Sequence, residues 1–164
     1  MEYLYLGKIV NTHGIKGEVR ILSKFKFKKK ALTKHFKIYI GKEKKEEVIS
    51  GYRPHKQFDM ITIEGIENIN DVLKYKGKHV YIKKSDIILE KGEYFDDDLI
   101  DMKVIMDNEI KGFVERIDTD IYQDKIIVNK CGTLVKVPHV RGIIKDINLE
   151  EGTITLDSIK GLLD

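Results

Sequence analysis

Residues 7–20 read Gly-Lys-Ile-Val-Asn-Thr-His-Gly-Ile-Lys-Gly-Glu-Val-Arg and concentrate the chain's clearest chemistry. Gly14 and Gly17 supply backbone freedom for a tight turn. Lys8, Lys16 and Arg20 surround that turn with positive charge, and His13 stands at its entrance. Cations on a hairpin tip suit an anionic ligand such as the backbone of a nucleic acid. His13 has two readings, a ligand contact or a hydrogen-bonded turn residue, and both stay open from the sequence.

A second cationic run follows at Lys24-Phe25-Lys26-Phe27-Lys28-Lys29-Lys30. Its lysines, Lys24 and Lys26 foremost, can neutralise phosphates as compact charges. The period-two spacing of Phe25 and Phe27 argues that the rings point into a core from a strand or loop, rather than stacking on bases. Far downstream, Tyr94-Phe95 precedes Asp96-Asp97-Asp98. Two adjacent aromatics on a strand cannot both face inward, so one is expected to be at least partly exposed, which suits a protein interface. Asp98 is expected to cap the element that follows.

Other chemistries find no support. Gly14-Ile15-Lys16-Gly17 matches the Gly-x-x-Gly of a KH domain, but that motif joins two helices and here strand patterns flank it. The Lys-Ser/Thr of a phosphate-binding P-loop is missing. The five histidines lack zinc-site spacing, and Asp96–Asp98 lacks the glycine and terminal glutamate of a calcium loop. No metal, no cofactor and no catalytic residues are expected, and the chain reads as a non-enzyme.

The elements that position these residues are β-strands. Short runs rich in Ile, Val and Tyr lie at Leu4–Val10, Glu18–Leu22, Lys37–Ile40, Glu47–Gly51, Met60–Glu64 and His79–Ile82. Their spacing predicts an antiparallel barrel or sandwich. A helix is expected after Asn68 or Asn70, with Val72-Leu73 as its apolar face and Gly77 as its stop. Pro54 is expected in a polar turn over residues 52–56. Strands resume at Lys103–Met106, Gly112–Ile117, Lys125–Val128, Thr133–Val137, Ile143–Ile147 and Thr153–Leu156, with turns at 107–109 and 150–152. They predict a second small barrel, with a short helical turn near Tyr94–Leu99. The expected division is a first domain over 1–84, a linker over 85–93 and a second domain over 94–164.

The net charge of +3 conceals a split. Residues 1–89 carry 20 Lys+Arg against 10 Asp+Glu, and residues 90–164 carry 10 against 17. The halves therefore stand at +10 and −7. Lysine outnumbers arginine 26 to 4, which reflects a general bias, but bias does not explain a reversal of sign at the boundary. A basic half suits a polyanion and an acidic half suits a basic protein. The single cysteine, Cys131, excludes an internal disulfide and fits a reducing compartment. No run approaches a membrane span and the amino terminus lacks a secretory pattern, so a cytosolic location is expected.

Gly-Lys-Ile…His-Gly-Ile-Lys-Gly-Glu-Val resembles the opening signature of the RimM family of ribosome maturation factors. Glu93-Tyr94-Phe95…Asp98-Leu99-Ile100 and the closing run from Leu134 to Leu163 resemble the PRC-barrel domain that ends those proteins. Asp101 departs from the pattern, since the family usually carries glycine there. The resemblance implies an all-β protein of two small barrels, the first translation-factor-like. It also implies a non-enzymatic role in assembling the head of the small ribosomal subunit and in ribosomal RNA processing. On that reading Lys8, His13, Gly14, Lys16, Gly17, Arg20, Lys24 and Lys26 face small-subunit ribosomal RNA. Tyr94, Phe95 and Asp98 face a ribosomal protein of the head, the nineteenth of the small-subunit series. The partner is the immature small subunit, no membrane is involved, and the protein is expected to act as a monomer. Two other classes remain open: an RNA-modifying or RNA-processing enzyme, and a PRC-barrel scaffold of the electron-transport type.

Overall fold

Alternating apolar and polar residues in the first half form β1 (Tyr3–His13), β2 (Glu18–Leu22), β3 (Lys37–Ile40), β4 (Lys45–His55), β5 (Phe58–Ile63) and β6 (His79–Lys83). The computed structural model describes residues 2–119 and 123–163. The protein is nearly all β, and the chain divides into two units, residues 1–89 and 90–164.

In the first unit the strands close into a barrel in the order β1-β2-β5-β4-β3-β6. Ile9, Ile21, Ile38, Ile61, Ile63 and Ile82 are fully buried and make its core. Closing six short strands requires sharp local bends, and the ladders shift register at Tyr5/Gly7, Ile9/Asn11 and Ile49/Gly51. Gly7 shows why one bend demands glycine: a Cβ there would lie 2.5 Å from the Leu22 carbonyl oxygen.

The strands run longer than the sequence pattern predicts where hairpin arms extend past the core. Pro54 is a correction: it lies within β4, opposite Asp59, and not in a turn. The turn is Lys56-Gln57, with Lys56 at φ 56°. A two-residue turn makes His55 and Phe58 the hydrogen-bonded pair, so the Pro54–Asp59 pair needs no amide donor.

Two short helices complete the first unit, α1 (Lys28–Ala31) and α2 (Ile69–Val72). The Asn68 side chain accepts from the Asn70 amide and caps α2, which continues as a 3-10 turn over Leu73–Tyr75. Tyr75 donates its hydroxyl to Glu47, and burial together with that carboxylate pushes its phenol up. Residues 85–89 associate with the first unit. Ile87 is buried, and Lys30 Nζ donates to the Ile88 carbonyl at 3.1 Å.

The second unit holds β7 (Lys103–Met106), β8 (Glu109–Asp118), β9 (Lys125–Lys130), β10 (Thr133–Pro138), β11 (Ile144–Asn148) and β12 (Thr153–Leu156). They form one six-stranded sheet in the order β10-β9-β8-β7-β12-β11, with β12 and β7 parallel. Val137 on one edge strand and Ile147 on the other pack on the same core as Val104, Val128 and Ile154, so the sheet curls around that core. Asp107-Asn108 and Cys131-Gly132 form two-residue turns in which both residues have positive φ. Cys131 is thus an exposed turn residue. Asp101 adopts φ 67° and donates its amide to the Val114 carbonyl. No helix among the described residues is long and apolar enough to cross a membrane.

Candidate nucleic-acid interface and protein-facing surface

The β1–β2 tip is a four-residue turn, Gly14–Gly17, with both glycines in the left-handed region. It is pinned to α2. The Ile69 amide donates to the Ile15 carbonyl at 3.0 Å, and a Cβ on Gly17 would lie 3.0 Å from the Asn68 carbonyl oxygen. Lys16 is exposed at the tip and Ile15 is 82% exposed, so the turn presents a cation and an apolar side chain to solvent. Gly17→Ala is expected to destabilise the protein by about 1–2 kcal/mol through its φ of +85° and this close approach. Chemical denaturation measures it, and an unchanged midpoint would contradict the pinned tip.

Next to the tip a compact cationic cluster forms. Arg20 Nη2 lies 3.1 Å from His13 Nδ1. A guanidinium only donates, so Nδ1 is the acceptor and the His13 proton sits on Nε2. The Arg20 guanidinium also lies 5.1 Å from the Phe58 ring centroid. Its Nε is buried without a hydrogen-bond partner among the described residues. Across the sheet, Arg20 and Arg53 occupy one row on either side of Met60. Arg53 donates to Glu18 in a two-pronged contact of 2.7 and 2.8 Å. His55 brings its ring centroid within 6.2 Å of His13's.

The cluster of His13, Glu18, Arg20, Arg53, His55 and Phe58 contains both arginines of the first unit, in a chain otherwise dominated by lysine. Arginine is the side chain that grips phosphate with two parallel donors. The Arg53 hydrogen bond holds the Glu18 carboxyl below its ordinary range. The pair's contribution to stability is therefore present above the unfolded carboxyl range and is lost only as pH falls through the depressed value. Arg53, His55 and Phe58 were not among the candidates read from sequence. The signal lay in Tyr-Arg-Pro-His-Lys at 52–56, which reads as a turn until the hairpin partner is known.

The remaining RNA-side candidates separate. Lys8, Lys24 and Lys26 are exposed, and Lys26 lies 5.4 Å from the Phe27 ring centroid. Phe27 is buried and Phe25 half-buried, on a loop entering α1. Lys28 is spent on the fold. Its Nζ lies 3.0 Å from the buried Asp59, whose other oxygen accepts from the Tyr52 hydroxyl at 2.7 Å. Burial and the Asp59 carboxylate push the Tyr52 phenol up to about 12.

In the second unit the aromatic pair divides its roles. Phe95 is 8% exposed and is the ring of the pair that packs inward. Tyr94 is half-buried; its hydroxyl shares a 3.0 Å hydrogen bond with His139 Nε2 and the rings stack. Burial, then the Asp96 carboxylate, push its phenol up. The Asp98 side chain accepts from the Phe95 amide at 3.0 Å and closes the 3-10 turn Asp96–Leu99. Nearby strands expose large apolar side chains the sequence reading passed over. Phe113 and Leu134 are each 48% exposed and share Asn129 as cross-strand partner, and Ile110 is 56% exposed. The adjacency of Phe113 and Val114 was the available signal, since only one of them can face the core.

The fold and these surfaces define a two-unit β protein with a cationic patch on its basic unit and an acidic, partly apolar surface on the other. The family model described as the RimM N-terminal domain matches residues 4–87. Ribosome maturation factor RimM of Ligilactobacillus salivarius is 37% identical, over 99% of this chain and 99% of that protein. The same factor from Staphylococcus haemolyticus is 37% identical over 97% and 98%, and that from Exiguobacterium sp. 32% over 100% and 98%. A crystal structure of RimM from Pseudomonas aeruginosa aligns with 96% of the chain at 18% identity and a TM-score of 0.44. The chain belongs to the RimM family.

Proposed function

We propose that this protein is a non-catalytic maturation factor for the small ribosomal subunit, acting in the cytoplasm. The first unit binds small-subunit ribosomal RNA through the Gly14–Gly17 tip, His13, Arg20 and Arg53, with Lys8, Lys16, Lys24 and Lys26 adding charge. The second unit holds a basic ribosomal protein of the subunit head, the nineteenth of the series, through the surface beside Tyr94. The observation that carries the reading is the meeting of the only two arginines of the +10 half in one patch. Binding energy spent on a minor conformation of the immature head would populate that conformation. The relatives' shared name supports the role.

Co-sedimentation with free small subunits, large subunits and assembled ribosomes tests it. Binding confined to free small subunits, weakening as salt rises, is expected. Equal binding to all three would reduce the patch to a general polyanion surface. Glu18→Gln removes the carboxylate that offsets Arg53. It is expected to tighten RNA binding and steepen the salt dependence by about one unit of slope. Filter binding across a salt series reads this, and an unchanged slope would mean that Arg53 does not meet phosphate.

A further inference from the structure

A second aromatic and cationic surface lies on the barrel along β1 and β6. The register sets Tyr5 opposite Tyr81 and Lys8 opposite His79. The Tyr5 ring is 50% exposed and is held edge-on by His79 at 5.2 Å and Tyr81 at 5.8 Å between centroids. The face of Tyr81 is already occupied, with Lys44 Nζ 4.0 Å from its centroid. Tyr5 is therefore the more open of the two rings, Tyr81 being only partly exposed. Beside it a cavity of about 390 Å³ is lined by Gly41, Lys42, Glu43, Lys78, His79 and Tyr81. A side chain at Gly41 would press on Glu43 Oε2 and Lys78 Cδ, at 3.0 and 3.3 Å from its Cβ, where glycine leaves the cavity's wall clear.

We infer that this surface is a stacking platform for an unpaired ribonucleotide, a second RNA contact separate from the arginine patch. A base lies on Tyr5 against His79, and the flanking phosphates are met by Lys44 and Lys78. Charge complementarity decides the occupant: three lysines, Lys42, Lys44 and Lys78, surround the ring and the cavity, with Glu43 the one carboxylate lining it among the described residues. A fixed aromatic face among cations suits single strands, whose bases are free to stack, and not a duplex, whose bases are already stacked. Tyr5 contributes no buried core side chain, so its exposed ring is available for a ligand.

The inference rests on the RNA-binding reading, and the test separates the two. The full chain is titrated into a labelled unstructured ribo-oligonucleotide, and into the same strand annealed to its complement, with anisotropy as the readout. Tyr5→Ala is expected to weaken single-strand binding about five- to a hundredfold and to leave duplex binding unchanged. Tyr5→Phe keeps the ring and is expected to bind as the parent does. If Tyr5→Ala melts early, Tyr5→Leu replaces it, keeping apolar packing without the ring. Parent-like single-strand binding by the ring-less variant, or an equal loss on duplex, overturns the platform and leaves the proposed function standing. Absence of RNA binding by the parent chain overturns both.

Discussion

Phe95→Ala is expected to lower the stability of the second unit by about 3–5 kcal/mol, the cost of removing a buried ring and leaving its cavity. For a unit of this size that corresponds to a fall in melting temperature of more than about 10 °C. Tyr94→Ala removes a half-buried ring instead, together with its hydrogen bond to His139, and should cost much less. The two adjacent aromatics are thus expected to give opposite phenotypes. Phe95→Ala loses folded protein, whereas Tyr94→Ala remains folded and loses affinity for the head protein. Calorimetry of each full-length variant, alongside subunit co-sedimentation, separates the cases. A Phe95→Ala variant that melts with the parent would show that the ring is not buried in solution. A folded Tyr94→Ala variant that binds subunits like the parent would remove Tyr94 from the interface.

The double substitution Arg20→Ala, Arg53→Ala carries the second large effect. Each arginine that meets a phosphate contributes about one unit to the slope of log affinity against log salt. Losing both should flatten the slope by about one, since Glu18 already offsets Arg53 in the parent, and weaken binding to small-subunit RNA at least about tenfold at moderate salt. The fold should survive, because exposed ion pairs such as Arg53–Glu18 contribute little to stability. Arg116→Ala is the matched control, since that guanidinium lies on the second unit beside Asp118. Parent-like sedimentation of the double variant with small subunits would sink the assignment of the patch. Loss in Arg116→Ala of equal size would show that arginine content, and not the patch, governs binding.

The sequence by itself determined the class of fold, the succession of strands along the chain and the sign of each half. These are local properties: apolar period-two runs dictate strands, glycines mark tight turns, and net charge is a sum that needs no contacts. Glu18–Leu22, Lys37–Ile40, Lys103–Met106 and Thr153–Leu156 have the same limits in pattern and in structure for that reason. The tertiary structure alone decided which residues make the site. Arg20 and Arg53 are 33 residues apart and meet in one row only because β5 pairs with both β2 and β4. The lysine run reads as one uniform patch, yet Lys28 leaves it to pair with the buried Asp59. Tyr94 and Phe95 are adjacent, and what separates a half-buried ring from a core one is the 3-10 turn that Asp98 closes after them. Pairing register and burial are long-range quantities, set when barrel closure fixes which strands become neighbours, so no local pattern of residues can state them.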